Sequence, residues 1–149
     1  MVDIKKNINK NKARIAIVAS KFNDFITKRL LNACLVELKR QGFADRQIIT
    51  VWVPGAFEIP LVALKFARRK DIDAVICLGA VIRGETYHFE VVANECARGI
   101  MEASLLTAKP VLMGVLTTDT VGQAQERAKE KGSNKGLDVA IAALEMIAL

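Results

Sequence analysis

The chain contains one histidine, His88, in the stretch AVICLGAVIRGETYHFE at 74–90. An apolar run closes on Gly79, a short polar segment carries Arg83, Gly84, Glu85 and Thr86, and a helical pattern opens near His88. Imidazole exchanges protons near neutral pH. In the first turn of a helix the dipole disfavours the imidazolium and keeps the ring available as a proton carrier. The backbone N–H groups that enter the helix are unpaired there and favour an anion. Gly84 lets the backbone approach a ligand closely, and Thr86 adds a hydroxyl. Glu85 fits such a cradle only with its amide donating and its carboxylate turned to water. The competing reading is a structural or solvated histidine on an ordinary strand-to-helix turn.

Other residue types narrow the chemistry. Phe22 and Phe57 each follow an apolar run and offer ring faces for a flat heterocycle; alternatively they close the end of a core. Arg127 neighbours Glu126 and Lys129, the pattern of a solvated helix face. GSNKG at 132–136 lacks the phosphate-loop spacing and follows no strand, and no GxGxxG follows any strand. Lys135 has no neighbour in sequence that would depress its pKa for imine formation. Cys34, Cys77 and Cys96 are odd in number and widely spaced within apolar patterns, which reads as buried thiols rather than disulfides. One histidine and no CxxC give a zinc site no support, so no metal is expected.

Composition bounds the setting of this chemistry. The length of 149 residues suits a single domain, 1–149. A hydrophobic share of 52% supports a sizeable core, and an aromatic share of 5% means aliphatic side chains must fill it. No apolar run is long enough to span a bilayer, and MVDIKKNINKNK lacks the apolar centre of a signal peptide. Cytoplasmic residence, without membrane association, is expected. Residues 1–14 hold Lys5, Lys6, Lys10, Lys12 and Arg14 against Asp3, which accounts for four of the six net positive charges. The chain reads as a polar basic arm over 1–13 on a nearly balanced domain, a pattern that does not favour nucleic acid.

The elements that must position these residues alternate. A β-rich run at 14–19 precedes a helix capped by Asp24, with Ile26, Leu30, Cys34 and Leu38 at helical spacing and Gly42 as its stop. A strand over 48–53 closes at Pro54-Gly55, and Pro60 suits the first turn of a helix running to about Lys70. The third strand, 74–78, is almost wholly apolar, as expected when both faces are covered. Val92, Cys96, Ile100 and Ala103 mark a third helix, and Pro110 leads to a fourth strand at 111–117. Thr120 with Gln123 reads as a capping box for a helix ending near Gly132. Gly136 marks a break before a terminal helix carrying Ala140, Ala143, Leu144 and Ile147 on one face. This order predicts an α/β fold: a four-stranded parallel sheet in a three-layer sandwich. Its carboxyl edge would gather 21–23, 55–58, 80–88 and 117–119, where such sheets bind ligands.

Several blocks carry a resemblance: KFNDFI at 21–26, WVPGAFEIP at 52–60, GAVIRGETYHFE at 79–90, GVLTTDT at 114–120, QERA at 125–128, NKG at 134–136 and ALEM at 143–146. Over nearly the whole chain from Arg14, the sequence resembles the lumazine synthase family. The resemblance implies a flavodoxin-like α/β/α sandwich. It also implies condensation of 5-amino-6-(D-ribitylamino)uracil with 3,4-dihydroxy-2-butanone 4-phosphate, with no metal or organic cofactor. By resemblance, Phe22 stacks on the pyrimidine, Ala56, Phe57 and Glu58 bind the ring and ribityl chain, and Ala80, Val81 and Ile82 line the pocket through their backbone. Glu85 and Thr86 would hold the butanone phosphate, and His88 would carry protons. Arg127 and Met113 would come from a neighbouring subunit, closing the phosphate site and the pyrimidine pocket respectively. Met113 departs from the family, which often has phenylalanine there. The resemblance further implies a homo-oligomer, a pentamer or an icosahedral shell, with the site between adjacent subunits and association with riboflavin synthase. A non-catalytic flavin- or lumazine-binding module and a shell-forming container remain as other readings of the same residues.

Overall fold

The computed structural model describes residues 8, 9 and 11–149; the rest of the arm expected over 1–13 lies outside the described residues. Within that arm Ile8 and Ala13 are buried in the core. Strand β1 (Ile15–Ser20) leads to helix α1 (Asp24–Arg40), β2 (Ile48–Val53), α2 (Ile59–Ala67), β3 (Ala74–Ile82), α3 (His88–Thr107), β4 (Val111–Thr118), α4 (Val121–Glu126) and α5 (Lys135–Ile147). Single 3-10 turns, Asp45–Gln47 and Ala56–Glu58, precede β2 and α2. The four strands form one parallel sheet in the order β2-β1-β3-β4. Among the described residues no helix is long and apolar enough to cross a membrane.

Alternation along the strands divides the core in two, since successive side chains point to opposite faces. Ile15, Ile17, Ala74, Ile76 and Leu78 pack with α1 and α5, around Leu30, Leu38, Ala140 and Leu144. Ala16, Val18, Val75 and Cys77 pack with α2 and α3, around Ile59, Ala63, Cys96 and Ile100. The result is the expected flavodoxin-like three-layer arrangement. The interior strand β1 is buried at every position, whereas the edge strand β2 is mostly half-exposed. Helices approach closely where glycine permits it: a Cβ on Gly136 would overlap the Leu30 carbonyl, and one on Gly99 would run into Pro60.

Element boundaries differ from expectation in physically readable ways. Strand β3 does not stop at residue 78 but continues through Gly79, Ala80, Val81 and Ile82, which pair with Val115, Leu116, Thr117 and Thr118. Gly79 is a packing residue rather than a terminator: a Cβ there would strike the Ser20 hydroxyl. Asp24 is the first residue of α1, and the cap position belongs to Asn23, in the left-handed region at φ 60°. Gly42 does end α1, at φ 102°, with Phe43 N donating to Leu38 O and Gly42 N to Lys39 O, both at 3.0 Å, the Schellman pattern. The helix expected to reach Gly132 stops at Glu126, and Gly136 lies inside α5. Thr120 accepts from Gln123 N at 3.1 Å, but Gln123 reaches back to Asp119 N rather than to Thr120, so the capping box is displaced by one residue. All three cysteines are buried and unpaired. Burial pushes the Cys34 thiol up to about 12 and Cys96 to about 11, which keeps them protonated and unreactive.

Candidate active site

The carboxyl edge of the sheet is built around the crevice between β1 and β3. The last β1–β3 pair is Ala19 with Leu78, so β3 runs on past its neighbour through Gly79–Ile82 with backbone groups facing the space above β1. This is where β1 and β3 lead to opposite sides of the sheet, the switch point at which open α/β sheets hold ligands. Asn23 spans the gap: its amide Nδ2 donates to Ala80 O at 2.9 Å. Asparagine tolerates the left-handed backbone that this requires.

Phe22 and the β2 turn are placed side by side by the backbone. Lys21 N donates to Val53 O at 2.8 Å and Phe22 N to Pro54 O at 3.1 Å. The chain after β1 is thereby tied to the chain after β2. Phe22 is 73% exposed and Phe57 58% exposed. Neither ring closes the core, so the alternative raised by the sequence does not hold in the single chain. Ala56 is buried beneath the turn, while Glu58 is exposed with its carboxylate close to Gly55.

Beyond β3, residues 83–88 are all exposed. Thr86 Oγ1 accepts from His88 N at 3.4 Å, a loose closure of the turn that starts α3. Gly84 stands in open space. Arg83, which the sequence offered as part of an anion cradle, is engaged elsewhere. Its Nε donates to Asp119 Oδ1 at 2.8 Å, its Nη1 donates to Glu90 Oε1, and its guanidinium lies 4.4 Å from the Phe89 ring centroid. The hydrogen bond from Arg83 holds the Glu90 carboxyl below its ordinary pKa, and the bonds to Asp119 and Glu90 raise that of Arg83. The positive charge of Arg83 is thus matched by two carboxylates.

Met113 and Arg127 are not grouped with Phe22, Phe57 and His88. Met113 pairs with Cys77 in the middle of β4, half-buried against the α2–α3 side of the core. Arg127 follows α4, and its Nη1 donates to Gln123 O at 2.9 Å. It lines a cleft of about 330 Å³ with Thr117, Ser133, Lys135 and Asp138, which includes none of Phe22, Phe57 and His88. The family model for 6,7-dimethyl-8-ribityllumazine synthase matches residues 12–149. The chain belongs to the lumazine synthase family. Membership makes it one of a group of transferases of riboflavin biosynthesis that act on small molecules and work as oligomers. In a lumazine synthase chain the edge holding Phe22, Phe57, Glu58, Glu85, Thr86 and His88 offers two ring faces, overhanging backbone and an exposed imidazole together. Sequence reasoning gave no role to Asn23 or to the Arg83–Asp119–Glu90 cluster. Asn23 had a local signal, an asparagine at a helix start; the cluster joins residues up to 36 positions apart and had none.

Proposed function

We propose that this chain catalyses the condensation of 5-amino-6-(D-ribitylamino)uracil with 3,4-dihydroxy-2-butanone 4-phosphate to 6,7-dimethyl-8-ribityllumazine, phosphate and water. The observation that carries the reading is the exposed His88 at the start of α3, beside the overhanging end of β3, in a chain that the family model covers from residue 12 onward. The 5-amino group of the pyrimidine attacks the butanone carbonyl and water leaves as the imine forms. A proton is then removed from carbon as the C–O bond to phosphate breaks, and ring closure expels a second water. The amine is the nucleophile, so no serine or cysteine is needed. His88 carries the protons. Phe22 and Phe57 hold the pyrimidine, with Ala56 and Glu58 on the ring and ribityl chain and the backbone of Ala80, Val81 and Ile82 along its edge. Glu85 and Thr86 receive the phosphate. Holding two substrates at reacting distance supplies several kcal/mol of the barrier reduction.

Arg127 and Met113 act from a neighbouring copy, Arg127 on phosphate and Met113 over the pyrimidine. Met113 lies mid-sheet and Arg127 lines a cleft that includes none of Phe22, Phe57 and His88 in the same chain, which is compatible with that assignment. Arginine suits phosphate because its charge is permanent and its fork planar. The assembly is a pentamer, able to build an icosahedral shell and to associate with riboflavin synthase, and works in the cytoplasm. Leu61, Met101, Leu105 and Leu106, on α2 and α3, are 61, 59, 74 and 70% exposed, apolar area of the kind that a second copy covers.

The test is formation of the lumazine chromophore from both substrates. His88→Ala is expected to lower kcat by about 10²- to 10⁴-fold. Arg127→Ala is expected to raise KM for the butanone phosphate by roughly 10- to 100-fold. Unchanged constants in both variants remove the assigned roles. Binding of the lumazine without its formation replaces the synthase by a binding module.

A further inference from the structure

We infer that Arg83 is a positioning residue: it clamps the loop 84–87 and so fixes where the His88 imidazole points. This rests on the reading of His88 as the proton carrier. Arg83 is the first residue past β3, and its N donates to Thr118 O at 2.8 Å, extending the β3–β4 pairing by one bond. Its guanidinium grips the other end of the loop, donating to Glu90 and lying over Phe89, the two residues that follow His88. Its Nε, donating to Asp119, fastens the same group to the chain leaving β4. Three segments therefore meet on one planar cation: the end of β3, the end of β4 and the first turn of α3.

Little else restrains the loop. Among the described residues, 84–87 form no hydrogen bond beyond their own junction with α3, where Thr86 and Tyr87 accept from His88, Glu90 and Val91. Without the clamp, α3 keeps its axis through core residues Ala93 and Cys96, but its first turn loses its tether to the sheet. Asp119 and Glu90 would also be left as two uncompensated carboxylates, and the Oε2 of Glu90 is already buried without a partner. Both effects move the imidazole relative to the substrates. Arginine is required by the geometry, because lysine presents a single point charge that cannot bond along two edges and stack on Phe89 together.

Steady-state kinetics on Arg83→Lys, Arg83→Ala and Glu90→Gln, each alone and combined with His88→Ala, test the clamp. In the His88 background, each variant is expected to lower kcat by about 10- to 10²-fold, the cost of a misplacement on the order of 1 Å. KM for the pyrimidine should change far less. Combined with His88→Ala, the same substitutions should add less than about a further twofold, since the group they position is gone. Equal losses in both backgrounds overturn the clamp and leave the role of His88 standing. A full rate in Arg83→Lys, or a lowered melting temperature with unchanged kcat in folded protein, also overturns it. A full rate in His88→Ala removes the proton-carrier reading itself, and the inference with it. Glu90→Gln keeps the test open should the Arg83 variants fail to fold.

Discussion

Gly84 illustrates how a single residue separates packing from ligand recognition. A Cβ built on it meets no heavy atom within 4 Å, and among the described glycines only Gly42 and Gly132 have positive φ. Gly79, by contrast, is held to glycine by the Ser20 hydroxyl. Neither packing nor backbone conformation asks for glycine at position 84. A need for it points to close approach by a phosphate at the amides of 84–86. Gly84→Ala is therefore expected to leave stability unchanged or to raise it by up to about 1 kcal/mol, since it restricts the unfolded chain. KM for the butanone phosphate should rise several-fold while kcat holds. Thermal unfolding and steady-state kinetics decide the matter, and an unchanged KM removes the close-approach argument. The neighbouring Arg83 makes the complementary point. It belongs to the segment that reads as an anion cradle, but its two carboxylate partners leave its charge matched, and only the folded chain brings Asp119 and Glu90 to it.

Among the elements, the junction between α4 and α5 is where one side chain organises most. Asn134 is 4% exposed. Its Oδ1 accepts from Gly136 N at 2.8 Å and Leu137 N at 3.4 Å, capping α5. Its Nδ2 donates to Lys129 O at 2.9 Å and to Arg29 O at 3.4 Å. Lys135 N donates to Arg127 O at 2.9 Å, so the segment folds back and fixes the backbone that carries Arg127. Asn134→Ala loses the cap and the two bonds to the Lys129 and Arg29 carbonyls, at a cost of roughly 1–3 kcal/mol. Asn134→Asp keeps the cap but sets a carboxylate oxygen against two carbonyls, and should fall between the two. Denaturant unfolding at fixed protein concentration measures both, and equal stability of all three proteins would contradict this account. The order of strands and helices was legible because the hydrophobic period changes between them and Gly, Pro and Thr mark the joints. Ends were less so. Gly79 looks like a stop until Ser20 is beside it, and Gly132 looks like a helix end although the chain has already left the helix at Glu126. In the site, His88 and the exposed Phe22 and Phe57 were legible because each follows a strand end. The roles proposed for Met113 and Arg127 rest on family resemblance alone, since nothing local distinguishes a mid-strand methionine or an arginine on a charged helix.

The whole molecule decides whether the site is complete. One chain holds Phe22, Phe57 and His88 on the carboxyl edge, while Arg127 lines a cleft that includes none of the three and Met113 lies mid-sheet. Apolar side chains on α2 and α3 remain exposed. In the proposed ring, copies meeting head to tail would cover such a face and would set the Arg127 of one chain beside the His88 of the next, because a heterologous contact joins two different surfaces. This arrangement predicts complementation. His88→Ala subunits keep an intact Arg127, and Arg127→Ala subunits keep an intact His88. When the two are unfolded together and co-assembled in equal amounts, about a quarter of the sites should draw His88 from one variant and Arg127 from the other. Such mixed assemblies should recover a corresponding fraction of wild-type chromophore formation at low butanone phosphate, whereas the two variants assembled separately and then mixed should recover none. If both residues served one site within a single chain, every site would carry a defect and co-assembly would gain nothing. No recovery in demonstrably mixed assemblies, shown by two subunit masses in one particle, would therefore return the site to the single chain.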